Sequence, residues 1–188
     1  MSARTRKSVV RSIRITKELD DLIRQVAKNA GGSVNALISS ILTKYAEWDR
    51  YADRFGFVTV PRDIFRSLIN AVDEEKLADL AEGFGPAKAR EMVLLWFKRV
   101  NPETQLRWLS FQMRYGRLGN YEIETGKDED TIALHHDLGV KFSLLLSRGI
   151  EQVFESIPNI SPQLSVEENA LAIRFPPGTL ERSLVAQG

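Results

Sequence analysis

One short stretch, Ser8-Val-Val-Arg-Ser-Ile-Arg-Ile-Thr16, constrains this chain more than any other. Ile13 and Ile15 alternate with Ser12 and Arg14, so an extended backbone there has one apolar and one polar face. Two helical patterns follow at once, and no second strand lies nearby in sequence. A lone amphipathic strand leaves a row of backbone N–H and C=O groups without partners. The simplest partner is the same strand of a second copy, so residues 8–15 predict a two-stranded ribbon across a dimer axis.

The residues after the strand predict two helices. Thr16 is placed as an N-cap, its hydroxyl accepting an N–H of the first turn. Glu18, Asp20 and Asp21 follow where carboxylates complement the helix dipole. Leu19, Leu22, Ile23, Val26 and Ala30 fall at helical spacing and form one apolar stripe. Gly31 is suited to stop this helix in the left-handed conformation, and Ser33 caps the next. Ala36, Leu37, Ile38, Ile41, Leu42, Tyr45 and Trp48 make the second helix broadly apolar, and its pattern runs to about Asp53. So small a unit cannot hide that much apolar surface alone, which again predicts a dimer.

Strand, helix, Gly-x-Ser turn and helix within about 45 residues resemble the ribbon–helix–helix family of the Arc and Met repressors. Ile13-Arg-Ile-Thr-Lys-Glu-Leu-Asp-Asp-Leu-Ile23 and Gly31-Gly-Ser-Val-Asn-Ala-Leu-Ile38 carry the resemblance. It implies an intertwined dimer whose antiparallel ribbon enters the major groove of double-stranded DNA. Ile13 and Ile15 then face the helices, and Val10, Ser12 and Arg14 face the bases. Arg14 is suited to bond guanine O6 and N7 together, and Ser12 adapts to several bases. Val10 departs from the family's usual polar residue and offers only an apolar contact, such as a thymine methyl. Ser33, Val34 and Asn35 at the second helix N-terminus would hold a phosphate. Arg4, Arg6, Lys7 and Arg11 would add sequence-independent phosphate contacts.

The charge distribution agrees with an anionic partner. Residues 1–50 hold ten Lys/Arg against five Asp/Glu, a net of +5, while the remainder holds sixteen against twenty, a net of −4. The first seventeen residues contain six basic side chains and no acidic one. The chain has 43% hydrophobic residues, which argues for a real core rather than general disorder. It has no cysteine, which excludes disulfides and thiolate metal sites and suits a reducing compartment. The start, Met1 to Lys7, is basic and lacks the apolar run of a signal peptide. No apolar run approaches a membrane span. A cytoplasmic protein without membrane attachment is the expectation.

A domain boundary is expected near Phe55-Gly-Phe-Val-Thr-Val-Pro61, giving a DNA-binding and dimerisation domain at 1–54 and a second domain at 55–188. Four helices are expected first: Arg62–Val72, a segment capped by Asp73 and running to about Glu82, one opening at Pro86, and one opening at Asn101-Pro102. Tyr121–Thr125 and Thr131–His136 then predict a hairpin. Leu138, Phe142, Leu145, Gly149, Val153 and Ile157 predict a helix. Gln163–Val166 and Ala170–Phe175 predict two more strands, with the last ten residues a tail. The order argues an α+β domain with a mainly antiparallel sheet, serving as sensor or oligomerisation domain.

Little in the second domain points to chemistry. His135 and His136 are adjacent on a strand and point to opposite faces, and no third histidine exists, so no metal or other cofactor is expected. Asp137 is read as the cap of the following helix. Trp96, Phe97, Trp108, Phe111 and Tyr115 on adjacent helices read as core or interface, with an effector pocket as the sharper alternative. No nucleophile–base pair stands out, so an enzyme is not expected. The expectation is therefore a homodimeric, sequence-specific transcriptional regulator whose second domain senses an effector, binds a partner or drives further association. The alternatives are an antitoxin-type protein–protein module and an architectural DNA-binding protein.

Overall fold

In the computed structural model, which describes residues 9–83, 86–155 and 161–180, the chain divides into two units, one ending at Arg54 and one beginning at Phe55. The first unit is helical. Helices α1 (Lys17–Asn29) and α2 (Val34–Lys44) lead into a π-helical stretch, Tyr45–Asp49, and then α3 (Arg50–Phe55). Residues 9–16 belong to no strand ladder. The expected ribbon is thus not formed within one chain, because a ladder needs a second strand and the described residues of the first unit contain none. Ser8 lies outside the described residues.

The π-helical stretch has no counterpart in the sequence reading. Ile41, Tyr45, Trp48 and Ala52 are spaced three or four apart and would share one face of a regular α-helix. The wider π turn delays the phase and divides them. Ile41 and Tyr45 are exposed, whereas Trp48 and Ala52 are buried. Lys44 spans the irregularity, pairing with Asp49 at 2.8 Å.

The second unit opens with α4 (Arg62–Ala71), α5 (Glu74–Gly83), α6 (Pro86–Phe97) and α7 (Pro102–Arg114). All four start where local chemistry predicts. Asn101 shows why: its side chain accepts the Thr104 N–H at 2.9 Å while Thr104 Oγ1 accepts the Asn101 N–H at 3.0 Å, a closed capping box with Pro102 in the first turn. Strands β1 (Asn120–Thr125) and β2 (Asp130–His135) form the hairpin, α8 (Val140–Glu155) follows, and β3 (Gln163–Val166) and β4 (Ala170–Phe175) complete a four-stranded antiparallel sheet of order β1-β2-β4-β3. Ile157, expected in the last helix, lies outside the described residues.

Cross-strand partners share a face. The register therefore places Ile132, Leu134, Leu171, Ile173 and Phe175 together, and all five are buried. Ile150 and Phe154 of α8 and Met113 of α7 join them in the main core. Tyr121 and Ile123 of β1 lie on the same face but remain more than a third exposed, because β1 is an edge strand beyond the helical cover. Phe65 and Ile69 of α4 pack with Leu138 and Phe142 in a smaller cluster, Phe65 meeting Phe142 edge-on at 5.9 Å. Lys141 on α8 donates to the carbonyls of Asn70 and Val72, satisfying the open end of α4.

Three expectations need correction. The chain after Gly178 does not leave the fold as a tail: Leu180 is fully buried in the main core, and its N–H donates to Asp130 Oδ2 at 2.8 Å. A buried carboxylate needs donors, and this one takes its donor from the returning chain; residues 181–188 lie outside the described residues. Asp137 does not cap α8. It pairs with Arg62 at 2.8 Å and Arg66 at 3.0 Å, two guanidiniums one turn apart on α4. His136 falls just past β2 and is buried, while His135 is exposed.

His136 links three segments. Its Nδ1 accepts the Leu138 N–H at 3.2 Å, which assigns the proton of the neutral ring to Nε2. Nε2 then donates to Ser143 Oγ at 2.9 Å, and Ser143 passes its proton toward the Glu168 carbonyl at 3.4 Å. The His136 N–H donates to the Asn169 carbonyl at 2.9 Å, tying the ring's own backbone to the β3–β4 turn. Burial lowers the His136 pKa, with Asp137 opposing. A lowered pKa favours the neutral ring in the fold. The stabilisation is thus complete above the ordinary histidine value and is lost as pH falls through the folded one. Denaturant unfolding of the second unit should therefore lose stability from this group as pH falls below the ordinary histidine range. His136→Asn should cost about 1–3 kcal/mol at pH 7 and flatten that part of the pH dependence; an unchanged pH profile would refute the assignment.

Candidate nucleic-acid interface

The first unit positions its polar residues through two caps and one turn. Thr16 is extended (φ −71°, ψ 159°), and its Oγ1 accepts the Leu19 N–H at 3.3 Å. Glu18 in the first turn of α1 has its pKa lowered by a hydrogen bond from its own backbone N–H, with a second contribution from Thr16. Arg24 pairs with Asp20 at 2.6 Å one turn away. Helix α1 then closes in a Schellman turn: the Gly32 N–H reaches the Ala27 carbonyl at 2.9 Å, and the Gly31 N–H reaches Lys28 at 3.1 Å. Gly31 sits at φ +66°, the left-handed conformation that side chains resist.

Ser33 is extended (φ −91°, ψ 153°), and its Oγ accepts the Ala36 N–H at 3.1 Å. The next two N–H groups, of Val34 and Asn35, have no acceptor among the described residues. The first turns of the two helices differ in charge. Helix α1 carries Glu18 and Asp20 there, whereas α2 carries no acidic residue. Its positive end is therefore open to an external anion.

Of the residues expected to read bases, Val10 is 90% exposed, and Ser12 and Arg14 are exposed as well. Arg11 is exposed on the same segment, and Ser33 and Asn35 are exposed with Val34 half-buried between them. Arg4, Arg6 and Lys7 lie outside the described residues. Ile13, expected on the inner face, is 68% exposed in the single chain, while Ile15 is half-buried.

The apolar stripe is present and uncovered. Leu19, Leu22 and Val26 on α1, and Ile41, Leu42 and Tyr45 beyond, are each more than two-fifths exposed. Among the described residues of this unit the buried apolar side chains are Ala27, Trp48 and Ala52. Covering a Leu, Ile or Val side chain fully is worth about 1.5–3 kcal/mol, so this face has a large unspent capacity for association.

Neither alternative chemistry gains support from the second unit. Ser143 and His136 stand at nucleophile–base distance, but the proton on Nε2 points at Ser143, so the ring cannot take the hydroxyl proton, and Ser143 is fully buried. The separated environments of His135 and His136 prevent their sharing an ion. The aromatic residues pack as core: Trp96 meets Trp108 at 4.6 Å and Phe97 meets Phe111 at 5.7 Å, with Trp96, Trp108 and Phe111 buried. No helix among the described residues is long and apolar enough to cross a membrane. No family model and no curated protein matches the sequence.

Two substitutions separate the contributions to this unit's shape. Ser33→Ala should cost about 1 kcal/mol through loss of the cap. Gly31→Ala meets no atom within 4 Å, so its cost should be purely conformational, about 1–2 kcal/mol. Denaturant unfolding of each variant, at matched protein concentration, measures both; a neutral Gly31→Ala would contradict the left-handed turn.

Proposed function

We propose that the protein is a homodimeric, sequence-specific double-stranded DNA-binding regulator of the ribbon–helix–helix type. In this reading residues 8–15 of two copies pair into a ribbon that enters the major groove. One observation carries it: an uncovered apolar face on α1 and α2, continuous in sequence with an exposed segment that alternates Ser12, Ile13, Arg14 and Ile15. A second copy of the same face supplies both missing partners, apolar cover for the helices and backbone hydrogen bonds for the segment. The ribbon then turns Ile13 inward and leaves Val10, Ser12 and Arg14 outward.

The other features take complementary roles. The open N-terminus of α2, at Ser33, Val34 and Asn35, receives a phosphate and sets the ribbon's register in the groove. Arg11 and the basic residues Arg4, Arg6 and Lys7 add affinity that falls with salt. Arg14 reads guanine through paired N–H donors. The second unit, with a sheet and buried core of its own, is suited to sensing, partner binding or further association, and its ordered core argues against a tail that wraps a toxin.

Selection of bound sequences from random duplexes tests the reading. A roughly palindromic site should emerge, and Arg14→Ala should weaken binding by about 1–3 kcal/mol, about five- to 150-fold, for each half-site, chiefly at one position of each. Sedimentation should give twice the 21.3 kDa chain mass, and Leu22→Glu, which buries a carboxylate in the paired face, should abolish both the dimer and DNA binding. A folded dimer that binds no duplex at low salt would overturn the proposal, and steep salt-dependent binding without an enriched site would favour the architectural alternative.

A further inference from the structure

The second unit is acidic as a whole but not throughout. Residues 86–117, which span α6, α7 and the turn after them, hold seven Lys/Arg against two Asp/Glu, a net of +5. The rest of residues 55–188 holds eight against seventeen, a net of −9. Both carboxylates in the basic span are already engaged, Glu91 with Lys88 at 2.8 Å and Glu103 with Arg99 at 3.1 Å. Lys98, Arg114 and Arg117 are exposed and form no ion pair with a described carboxylate.

Packing orders the band. The rings of Phe97, Phe111 and Tyr115 form a ladder from α6 to the end of α7, with neighbouring centroids 5.7 and 5.3 Å apart. Arg107 lies over two of its rungs, its guanidinium carbon 5.3 Å from Phe97 and 5.4 Å from Phe111, and Arg114 lies 5.1 Å above Tyr115. A guanidinium packed against a ring is partly ordered and loses less freedom on binding an anion. Arg107 and Arg114 are seven residues apart and share one side of α7. Lys98 adjoins Phe97, and Arg117 follows three residues beyond Arg114. The helix dipoles account for cations at the ends of α6 and α7. They do not account for the net charge of the whole span.

We propose that Lys98, Arg114 and Arg117, exposed at the ends of α6 and α7, form a second surface for the nucleic-acid backbone, contacting phosphates without reading bases. This rests on the DNA-binding reading above: the chain then holds two basic regions, one reading sequence and one adding non-specific grip. The acidic β1–β2 hairpin of another copy, with Glu122, Glu124, Asp128 and Glu129, is the rival occupant.

The test uses the full-length protein with Lys98→Gln, Arg114→Gln and Arg117→Gln combined, leaving Arg107 in its packed position. Affinity for a long random-sequence duplex is measured across a salt series. Each phosphate contact contributes about 0.9 to the slope of log K against log salt, so the triple variant should lose about 2 to 3 from the slope for each protomer engaged and bind at least about tenfold more weakly at low salt. A variant with Arg114→Lys and Arg117→Lys should keep the wild-type slope. An unchanged slope in a triple variant with wild-type melting would overturn the proposal, as would a fall in oligomer mass without a change in slope, which assigns the band to self-association. Failure of the ribbon reading looks different: no enriched site is selected, while the triple variant still loses its slope.

Discussion

Exposed apolar surface on a pair of short helices governs how this protein is read. A helical hairpin is held by its contacts, not by propensity, since helices this short are marginal alone in water. Here the caps at Thr16 and Ser33 and the turn at Gly31 define where the helices start and stop, yet the burial that should hold them is nearly missing from the single chain. Local chemistry specifies the shape and leaves the energy to be supplied from outside. In the proposed dimer a second copy would satisfy that need, with the same surface meeting itself across a twofold axis.

Electrostatics divides the chain along different lines. The acidic balance of residues 55–188 conceals a basic span on α6 and α7, and an averaged count would treat both as one surface. What singles the span out is not the number of cations but their fate in the fold. Its carboxylates are taken by near neighbours in sequence, and two of its arginines, Arg107 and Arg114, lie over aromatic rings. An electrostatic field built this way keeps its sign near the surface and weakens with salt.

Much of the fold was legible because the decisive signals are local. N-caps, the left-handed glycine, Pro86 and Pro102 in first helical turns, and the alternation of the four strands act within a few residues, and the observed boundaries follow them closely. The failures are all matters of distance or phase. The partner of Asp130 lies fifty residues away, and nothing near Leu180 marks it as core. Asp137 was read by its neighbour α8 when its partners are on α4. The π turn at Tyr45–Asp49 leaves no trace in a 3.6-residue pattern that continues smoothly across it. Alternation in β1 identified its faces but not that the helices stop short of covering it. For the candidate interface, sequence named both the residues of the N-terminal segment and those at the N-terminus of α2, and the structure added the exposure of the ones it describes. The basic band escaped notice because its members join across two helices through rings that were weighed as core, interface or effector pocket.

The bond from Leu180 to Asp130 also bears on the order in which the protein assembles during synthesis. Strand β2 begins with a carboxylate that is fully enclosed once the sheet is complete, and the donor that accommodates it is made fifty residues later. The hairpin therefore has reason to stay open to water until the chain has come back. Domains usually mature from the N-terminal end as they emerge, so the first unit is out and exposed while the second still waits to close. If the chain pairs as proposed, that interval would let neighbouring nascent chains meet through their first units before either monomer is complete.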